Sequence, residues 1–234
     1  MSNNYFKFKQ FTVYQDKTAM KVGVDSVVLG AWTKSENAKS ILDVGTGTGL
    51  LGLMLAQKSD AKITAVEIDE DSYHQAVENI TNSRWKSRVD VIHSSFQDLV
   101  NEPKDRFDLI ICNPPYFVNS LKSPEKNRNT ARHDDDLSLD DLFLGSKLVL
   151  SENGSLNLIY PYKQKDNLIG VAKRFGFYPA KFLLIQGNRN KEPNRIVVEF
   201  KFQETKVQTE ILCVRDLENN YTKEYKQLTK DYYL

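Results

Sequence analysis

Residues Asn113, Pro114, Pro115 and Tyr116 form a rigid polar and aromatic tip directly after the apolar run at 110–112. The two prolines fix φ at their own positions and hold each preceding residue in an extended conformation. Because proline has no N–H, the Asn113 amide oxygen and the Pro114 carbonyl become two acceptors that a planar amino group could bridge with its two donors. Tyr116 adds a ring face for stacking. These four candidate catalytic residues predict chemistry on an amine, since fixed acceptors stabilise the positive charge that develops on an attacking nitrogen.

The segment DVGTGTG at 43–49 is a second candidate site, where a predicted strand turns into a predicted helix. Glycines let the backbone turn tightly and approach a ligand with no Cβ in the way. The segment continues into the dinucleotide pattern G-x-G-x-x-G, which alone is a weak signal. Asp43 decides between the cofactors, because a carboxylate just before the turn would repel a pyrophosphate and favours a ligand with an ammonium and a sulfonium, such as S-adenosylmethionine. The cofactor-binding residues predicted here are Asp43, Gly45, Thr46, Gly47 and Gly49.

A third feature, AVEID at 65–69, ends the next predicted strand with Glu67. An acid at the tip of the strand next to the glycine turn is positioned to accept hydrogen bonds from both ribose hydroxyls of a nucleoside. Ile68, its neighbour in the chain, is assigned to the same cofactor site. No metal is predicted, because a methyl donor of this kind carries its own activation.

These candidate residues lie at the ends of alternating apolar runs, which predict an α/β fold with a Rossmann-like, mostly parallel, doubly wound sheet and an antiparallel closing hairpin. In such a sheet ligands bind where the strand order reverses. If 106–112 is the fourth strand, it lies beside the first, and Asn113 emerges next to the glycine loop. The predicted strands are 40–44, 62–67, 88–92, 106–112 and 155–160, with the hairpin at about 178–186 and 195–203. The predicted helices are 49–58, 70–82, 137–150 and 164–175.

The chain is expected to form a single domain in three parts. Residues 1–35 hold a small hairpin and a short helix in VDSVVLGAW, with Asp25 as a helix cap. Residues 36–204 form the cofactor-binding core, and residues 205–234 a C-terminal extension with a short helix at 221–231.

Composition narrows the class of protein. The chain has 234 residues, 32 Lys plus Arg against 31 Asp plus Glu, and 2 Cys. The balanced charge gives no indication of a nucleic-acid-binding protein. So few cysteines indicate neither a disulfide framework nor a metal site. The start lacks an apolar signal core, and no apolar run is long enough to span a membrane. We therefore expect a cytoplasmic protein, and a monomer.

The three motifs together resemble those of class I S-adenosylmethionine-dependent amino-methyltransferases, whose fold matches about residues 40–200. MKVGVDSVVLGAW at 20–32 resembles a narrower signature of the bacterial tRNA1(Val) adenine N6-methyltransferases, the YfiC-like family. NRNTARHDDDLSLDDL and the ending YTKEYKQLTKDYY are similar to the same family. The resemblance implies methylation of the adenine next to the anticodon, with S-adenosylmethionine as cofactor and tRNA as partner. It assigns Asp43 and the glycines to the methionine end of the cofactor, Glu67 to the ribose, and 113–116 to the target amine.

One segment departs from that family pattern. HSSFQD has Ser95 where many relatives carry an acid that contacts the cofactor adenine. Phe96 could pack on the adenine ring, and Asp98 could replace the missing acid. Ser95 and Phe96 are therefore included among the cofactor-binding residues.

Basic residues are concentrated in three stretches despite the neutral total: near the start, at 117–133 and at 160–195. Such runs are usually solvated faces. Two of them could rim the catalytic edge, which favours contacts with RNA phosphates. Near the start, the basic residues are Lys7, Lys9, Lys17 and Lys21. The candidate RNA contacts are Lys122, Arg128, Arg132, Lys191 and Arg195.

Other functions remain open at this point. Asn-Pro-Pro-Tyr also occurs in enzymes that methylate a glutamine amide of peptide release factors, because a carboxamide presents the same two donors. Those enzymes usually carry an N-terminal helical domain, whereas only about 40 residues precede the core here. A guanine N2 enzyme and a non-catalytic RNA-binding module are further alternatives, although the module would not need Asn113 or Glu67. A dehydrogenase is disfavoured by Asp43.

Overall fold

The structure is a computed structural model, and it describes residues 3–18, 20–101, 106–114 and 137–234. Ten strands and seven α-helices lie within these residues. The strands are β1 (Tyr5–Lys7), β2 (Thr12–Tyr14), β3 (Ser40–Val44), β4 (Lys62–Glu67), β5 (Val89–His93), β6 (Phe107–Cys112), β7 (Leu150–Pro161), β8 (Tyr178–Asn188), β9 (Arg195–Lys201) and β10 (Gln208–Arg215). The helices are α1 (Val24–Trp32), α2 (Leu50–Lys58), α3 (Glu70–Thr81), α4 (Phe96–Asn101), α5 (Leu139–Val149), α6 (Lys165–Arg174) and α7 (Lys223–Thr229).

Strands β3 to β10 form one sheet in the order β10-β8-β9-β7-β6-β3-β4-β5. Neighbours are parallel from β7 to β5, and β10 is parallel to β8. Strand β9 runs antiparallel to both β7 and β8. This topology confirms the predicted doubly wound sheet and its antiparallel hairpin. The strand order reverses between β3 and β6, which is the switch point expected to hold the ligand.

The central strands are buried on both faces, which explains why they stand out in the sequence as apolar runs. Ile41 of β3 and Ile111 of β6 belong to the apolar cluster that includes residues of α1, α2 and the N-terminal hairpin β1–β2. Leu42 and Ile110, which point the other way, belong to the cluster that includes residues of α4, α5 and α6. Helices thus cover both faces of the sheet. The loops at the carboxyl ends of its strands are where a ligand is expected to bind.

Two elements were not predicted from the sequence. Helix α4 has only 6 residues, too few to show a helical repeat of apolar positions. Strand β10 lies at the edge of the sheet and its first four residues are exposed, so it lacks the apolar run of a central strand. Strand β10 joins the predicted C-terminal extension to the sheet.

The predicted cap of α1 was wrong. Gly23 is the N-cap of this helix and makes no side-chain capping bond. The carboxylate of Asp25 instead accepts a hydrogen bond from Arg195 Nε at 2.7 Å. A long-range ion pair has therefore replaced the local capping bond that the sequence pattern suggested. Strand β7 also begins earlier than predicted, at Leu150.

Candidate active site

The pairing of β3 with β6 brings the two main motifs together. Val44 at the end of β3 is in register with Cys112 at the end of β6. Because both strands run in the same direction, Gly45 and Asn113 leave the same edge of the sheet side by side. The predicted proximity of the glycine loop and Asn113 is confirmed.

Asp43 is a buried carboxylate below the glycine loop, with no exposed surface. Its Oδ2 accepts hydrogen bonds from Thr46 Oγ1 at 2.6 Å and from the Gly52 N–H at 2.9 Å. Its Oδ1 is buried and has no hydrogen-bond partner among the described residues. Burial raises the pKa of Asp43 to about 6, because the charged form loses its hydration. An anionic oxygen without a partner at this position suits a ligand that carries a positive charge.

Gly45 and Gly47 form an open cradle above this carboxylate. Both have positive φ, 65° and 56°, which side chains rarely adopt. A Cβ at either position would meet no heavy atom of the described residues within 4 Å. Their backbone therefore faces open space, as close approach to a ligand requires. Gly49, at φ 79°, is the N-cap of α2.

Glu67 is fixed at the end of β4 by backbone donors. Its Oε2 accepts from the Gly47 N–H at 2.8 Å, and its Oε1 accepts from the N–H groups of Ile68 at 2.9 Å and Asp69 at 3.0 Å. Among the described residues Oε2 takes part in only one of these bonds, so it keeps a lone pair for a further donor. The carboxylate thus links the glycine loop to the end of β4. That Glu67 accepts hydrogen bonds from both ribose hydroxyls of a nucleoside stays a prediction.

A narrow cleft beside Glu67 brings the remaining cofactor candidates together. It is lined by Gly45, Glu67, Ile68, Ser95 and Phe96, among others. Ile68 is 43% exposed although it is apolar, so its side chain presents a hydrophobic surface next to the carboxylate. This combination suits a nucleoside, with the hydroxyls at the acid and the base against the apolar side chain.

The segment HSSFQD, which has Ser95 in place of the expected acid, lines this cleft with Ser95 and Phe96. Ser95 Oγ donates to Asp98 Oδ2 at 2.7 Å and accepts from the Asp98 N–H at 3.0 Å, so the pair caps the start of α4. The Phe96 ring is buried, and a Cβ built on Gly145 of α5 would lie 2.5 Å from it. Ser95 and Phe96 therefore both line the cleft, and in addition Ser95 caps α4 while Phe96 packs α4 against α5.

Ser26 of α1 is a functional candidate that the sequence analysis missed. The Asn113 side chain is half-buried, and its Nδ2 donates to Ser26 Oγ at 2.8 Å. This bond fixes the plane of the amide and directs Oδ1 away from Ser26. The signal was present in VDSVVLGAW, since a hydroxyl stands there among apolar residues, but nothing local to that segment indicates its distant partner.

The structure places the other predicted residues as follows. Pro114 is described and buried, whereas Pro115, Tyr116, Lys122, Arg128 and Arg132 lie outside the described residues. Arg195 is paired with Asp25, and Lys191 is exposed in the turn between β8 and β9.

Two features are absent from the described ranges, a membrane-spanning helix and a cluster of metal ligands. No described helix has the length and apolar character needed to cross a bilayer. Within the same residues, no group of three or more His, Cys, Asp or Glu side chains is arranged to hold a metal ion.

Comparison with known proteins gives consistent matches. The family model described as methyltransferase small domain matches residues 20–178. A tRNA1(Val) (adenine(37)-N6)-methyltransferase of Flavobacterium psychrophilum is 44% identical over 231 residues, which cover 98% of this chain and 99% of the relative. A protein of the same name from Bacteroides fragilis is 44% identical over 235 residues, covering 100% of this chain and 99% of the relative.

A solved structure supports the fold independently. The crystal structure named "predicted O-methyltransferase" from Agrobacterium tumefaciens aligns with a TM-score of 0.70 at 17% identity, covering 89% of this chain and 96% of that one. At this identity the likeness concerns the fold alone, and it confirms the class I methyltransferase architecture.

Proposed function

Because the chain belongs to the family of tRNA1(Val) (adenine(37)-N6)-methyltransferases, we propose that it methylates N6 of the adenine next to the anticodon in such a tRNA. S-adenosylmethionine is the cofactor of this family and fold. The observation that carries the reaction class is the position of Asn113 beside the glycine loop, at the switch point of the sheet.

The residues present fit this cofactor. The unpartnered Oδ1 of Asp43 favours positive charge, and the open backbone at Gly45 and Gly47 admits close approach. We assign Asp43, Thr46 and the glycines to its methionine end, Glu67 to the ribose, and Ile68, Ser95 and Phe96 to the adenine side. When bound, the cofactor supplies a methyl group activated by a positively charged sulfur.

Asn113 and Pro114 act on the target amine. The lone pair of an exocyclic amine is delocalised into its ring, so the free amine is a poor nucleophile. Acceptors that bind both N–H groups stabilise the charge that develops as the nitrogen becomes tetrahedral. Ser26 holds the Asn113 amide in place for this task, and Tyr116 is assigned to stacking on the base. The same acceptors orient the amine toward the glycine loop.

A tRNA loop suits a site of this kind. The amine of a paired adenine is hidden, so the enzyme must take a base that is single-stranded or flipped out. Lys191 and Arg195, together with Lys122, Arg128 and Arg132, remain the proposed phosphate contacts around the cleft. A tRNA substrate also supports the proposed cytoplasmic location, and we propose a monomer as the acting form.

The direct test offers two acceptors in parallel, total tRNA and a peptide release factor, to the protein with S-adenosylmethionine labelled on its methyl group. The control is total tRNA with the Asn113→Ala protein. We expect label on tRNA adenine with the wild-type protein only. Label on a release-factor glutamine with none on tRNA, or label on guanine N2, would refute the proposal.

A further inference from the structure

A large pocket lies between the N-terminal hairpin and helix α7, apart from the cofactor cleft. Its volume is about 670 Å³, within the range of about 300–1,000 Å³ found for small-molecule sites. Phe6, Val22, Val24 and Tyr233 contribute an apolar and aromatic wall, and all four side chains are half-buried. No step of the proposed methyl transfer uses these residues.

The rim of this pocket is cationic. Four lysines line it, and no Asp or Glu is among the described residues that do so. Lys226 and Lys230 are four residues apart at the end of α7, so their side chains lie on one face. No described carboxylate lies within ion-pair distance of Lys7, Lys226 or Lys230. These charges are therefore available to an anionic ligand.

Both walls of the pocket are held in place by direct contacts of backbone and side-chain groups. The Lys9 N–H donates to the Tyr232 carbonyl at 2.8 Å, and Lys9 Nζ donates to the Lys230 carbonyl. The ring of Tyr233 stacks on Phe8, with centroids 6.0 Å apart and an interplanar angle of 10°. These contacts join the N-terminal hairpin to the end of α7, so the pocket has a defined shape.

Helix α1 connects this pocket to the catalytic residues. Val24, in its first turn, lines the pocket, while Ser26 of the same turn holds Asn113. Val24 and Ser26 are two positions apart in the helix, so their side chains point to nearly opposite sides of it. Both residues lie within a single helical turn, whose pitch is about 5.4 Å. The pocket and the target-base site therefore flank one helical turn, close enough for nearby nucleotides of one RNA strand to reach both.

We propose that this pocket, lined by Phe6, Val22, Val24 and Tyr233 and rimmed by Lys7, Lys9, Lys226 and Lys230, binds a nucleotide of the RNA substrate other than the target adenine. The inference rests on the proposed function, which it deepens by assigning a second RNA subsite. The base lies against the apolar wall, and the flanking phosphates contact the lysines. Aromatic and apolar walls with cationic rims are how proteins hold single-stranded nucleic acid. The sequence had already shown Lys7 and Lys9 in a basic stretch, but not that α7 completes a pocket with them.

A charge-reversal pair tests the rim. The variant Lys226→Glu with Lys230→Glu changes two exposed side chains, and Lys62→Glu with Lys147→Glu is the matched control. The control lysines are also exposed, and they lie at the start of β4 and the end of α5, at the opposite edge of the sheet. Binding of full-length tRNA is measured by titration at several salt concentrations, and binding of S-adenosylmethionine by calorimetry.

We expect the pocket variant to bind tRNA about tenfold or more weaker than the control variant at the same salt concentration. The slope of log affinity against log salt should decrease by about 1.4 in magnitude, because two phosphates of a single strand are no longer neutralised by lysines. Cofactor affinity should be unchanged in both variants, which also shows that they fold. Equal tRNA affinity and equal salt slope in the two variants would overturn the proposal.

Photo-crosslinking tests the base-binding wall separately. The wild-type protein is crosslinked to tRNA carrying 4-thiouridine at single positions in the anticodon loop, and the attached peptides are identified by mass spectrometry. We expect attachment within residues 5–9, 22–24 or 221–234 from a loop nucleotide near the target. Crosslinks that map only to other parts of the chain would contradict the proposal. Both readouts measure RNA binding, so a failure of the methylation proposal itself would appear instead as absent methyl transfer by the wild-type protein.

Discussion

Asp43 is a carboxyl group that the fold keeps out of water, and its titration gives a prediction about stability. Its pKa rises from 3.8 to about 6 on folding, so between these values the folded state binds more protons than the unfolded state. The stability that the neutral form provides is present below about pH 4 and lost as pH rises through 6. A shift of this size corresponds to about 3 kcal/mol.

The Asp43→Asn variant isolates this effect. Its amide oxygen can accept from Thr46 and Gly52 as Oδ2 does, but it has no charge to bury. In urea unfolding at a series of pH values, we expect the stability of the variant relative to wild type to increase from pH 4 to pH 6 and then to level off. A difference that stays constant over this window would show that Asp43 is not the group responsible.

The same carboxylate should control cofactor affinity. Ionised Asp43 attracts a positively charged ligand, so S-adenosylmethionine should bind more tightly as pH rises through about 6, and more weakly to Asp43→Asn at neutral pH. Calorimetry at pH 5 and pH 7 measures both. A wild-type protein whose affinity for the cofactor does not increase over this range would contradict the role of Asp43.

Ser26 and Asn113 give a second prediction at the residue scale. Asn113→Ala should lower kcat below about a tenth of wild type with cofactor affinity nearly intact, because the role proposed for Asn113 is to act on the amine in the transition state. Ser26→Ala removes one hydrogen bond that orients Asn113, worth about 1 kcal/mol, so kcat should fall about fivefold. Ser26→Thr, which retains the hydroxyl, should restore most of it.

The two substitutions should not be additive. In the Asn113→Ala background the hydroxyl of Ser26 has no amide to orient, so Ser26→Ala should have little further effect on kcat. If Ser26→Ala lowers kcat as strongly in that background as in wild type, Ser26 acts on something other than Asn113.

Individual residues were predictable where their chemistry is local to a motif. Asn113 with its prolines and the glycines at 45–49 are recognisable from their neighbours alone. Ser26 was not, because its partner Asn113 lies 87 positions away in the chain. The second hydrogen-bond donor to the Asp43 carboxylate, the Gly52 N–H, was likewise not predictable, because it lies in α2 and reaches Asp43 only in the folded protein.

At the scale of elements, the glycine loop yields a prediction with a matched control. Gly47→Ala places a methyl group in the open cradle at a φ of 56°, while Gly176→Ala places one in open space at a φ of 84°, at the end of α6. Both substitutions strain the backbone and should lower the free energy of unfolding by a similar amount, about 1 kcal/mol. Only Gly47→Ala should weaken S-adenosylmethionine binding, as measured by calorimetry. Equal affinity of the two variants for the cofactor would mean that the cradle does not receive it.

The alternation of strands and helices was predictable because the central strands are buried on both faces. Their apolar runs are continuous, and the switch point follows from the order of those runs. The edge strand β10 and the short helix α4 were not predictable from the sequence. Strand β10 is half-exposed, and α4 is too short to show a periodic pattern of apolar residues. The capping role expected for Asp25 failed because an ion pair with Arg195 satisfies its carboxylate across the fold.

For the whole molecule, the formal net charge of +1 conceals where the charge lies. Lysines from the first and last parts of the chain meet only in the folded protein, around the pocket between β1 and α7. The basic stretches are visible in the sequence, but tertiary contacts decide which of them share a surface.

The measurement that tests the central claim most directly is nucleoside mass spectrometry of tRNA after incubation with the protein and S-adenosylmethionine labelled on its methyl group. The labelled tRNA is also cut into fragments, so that the modified position is located. We predict labelled N6-methyladenosine at the position next to the anticodon of tRNA1(Val), with none formed by Asn113→Ala. Labelled methyl on guanine N2, or no labelled nucleoside in tRNA although the protein binds the cofactor, would contradict the account.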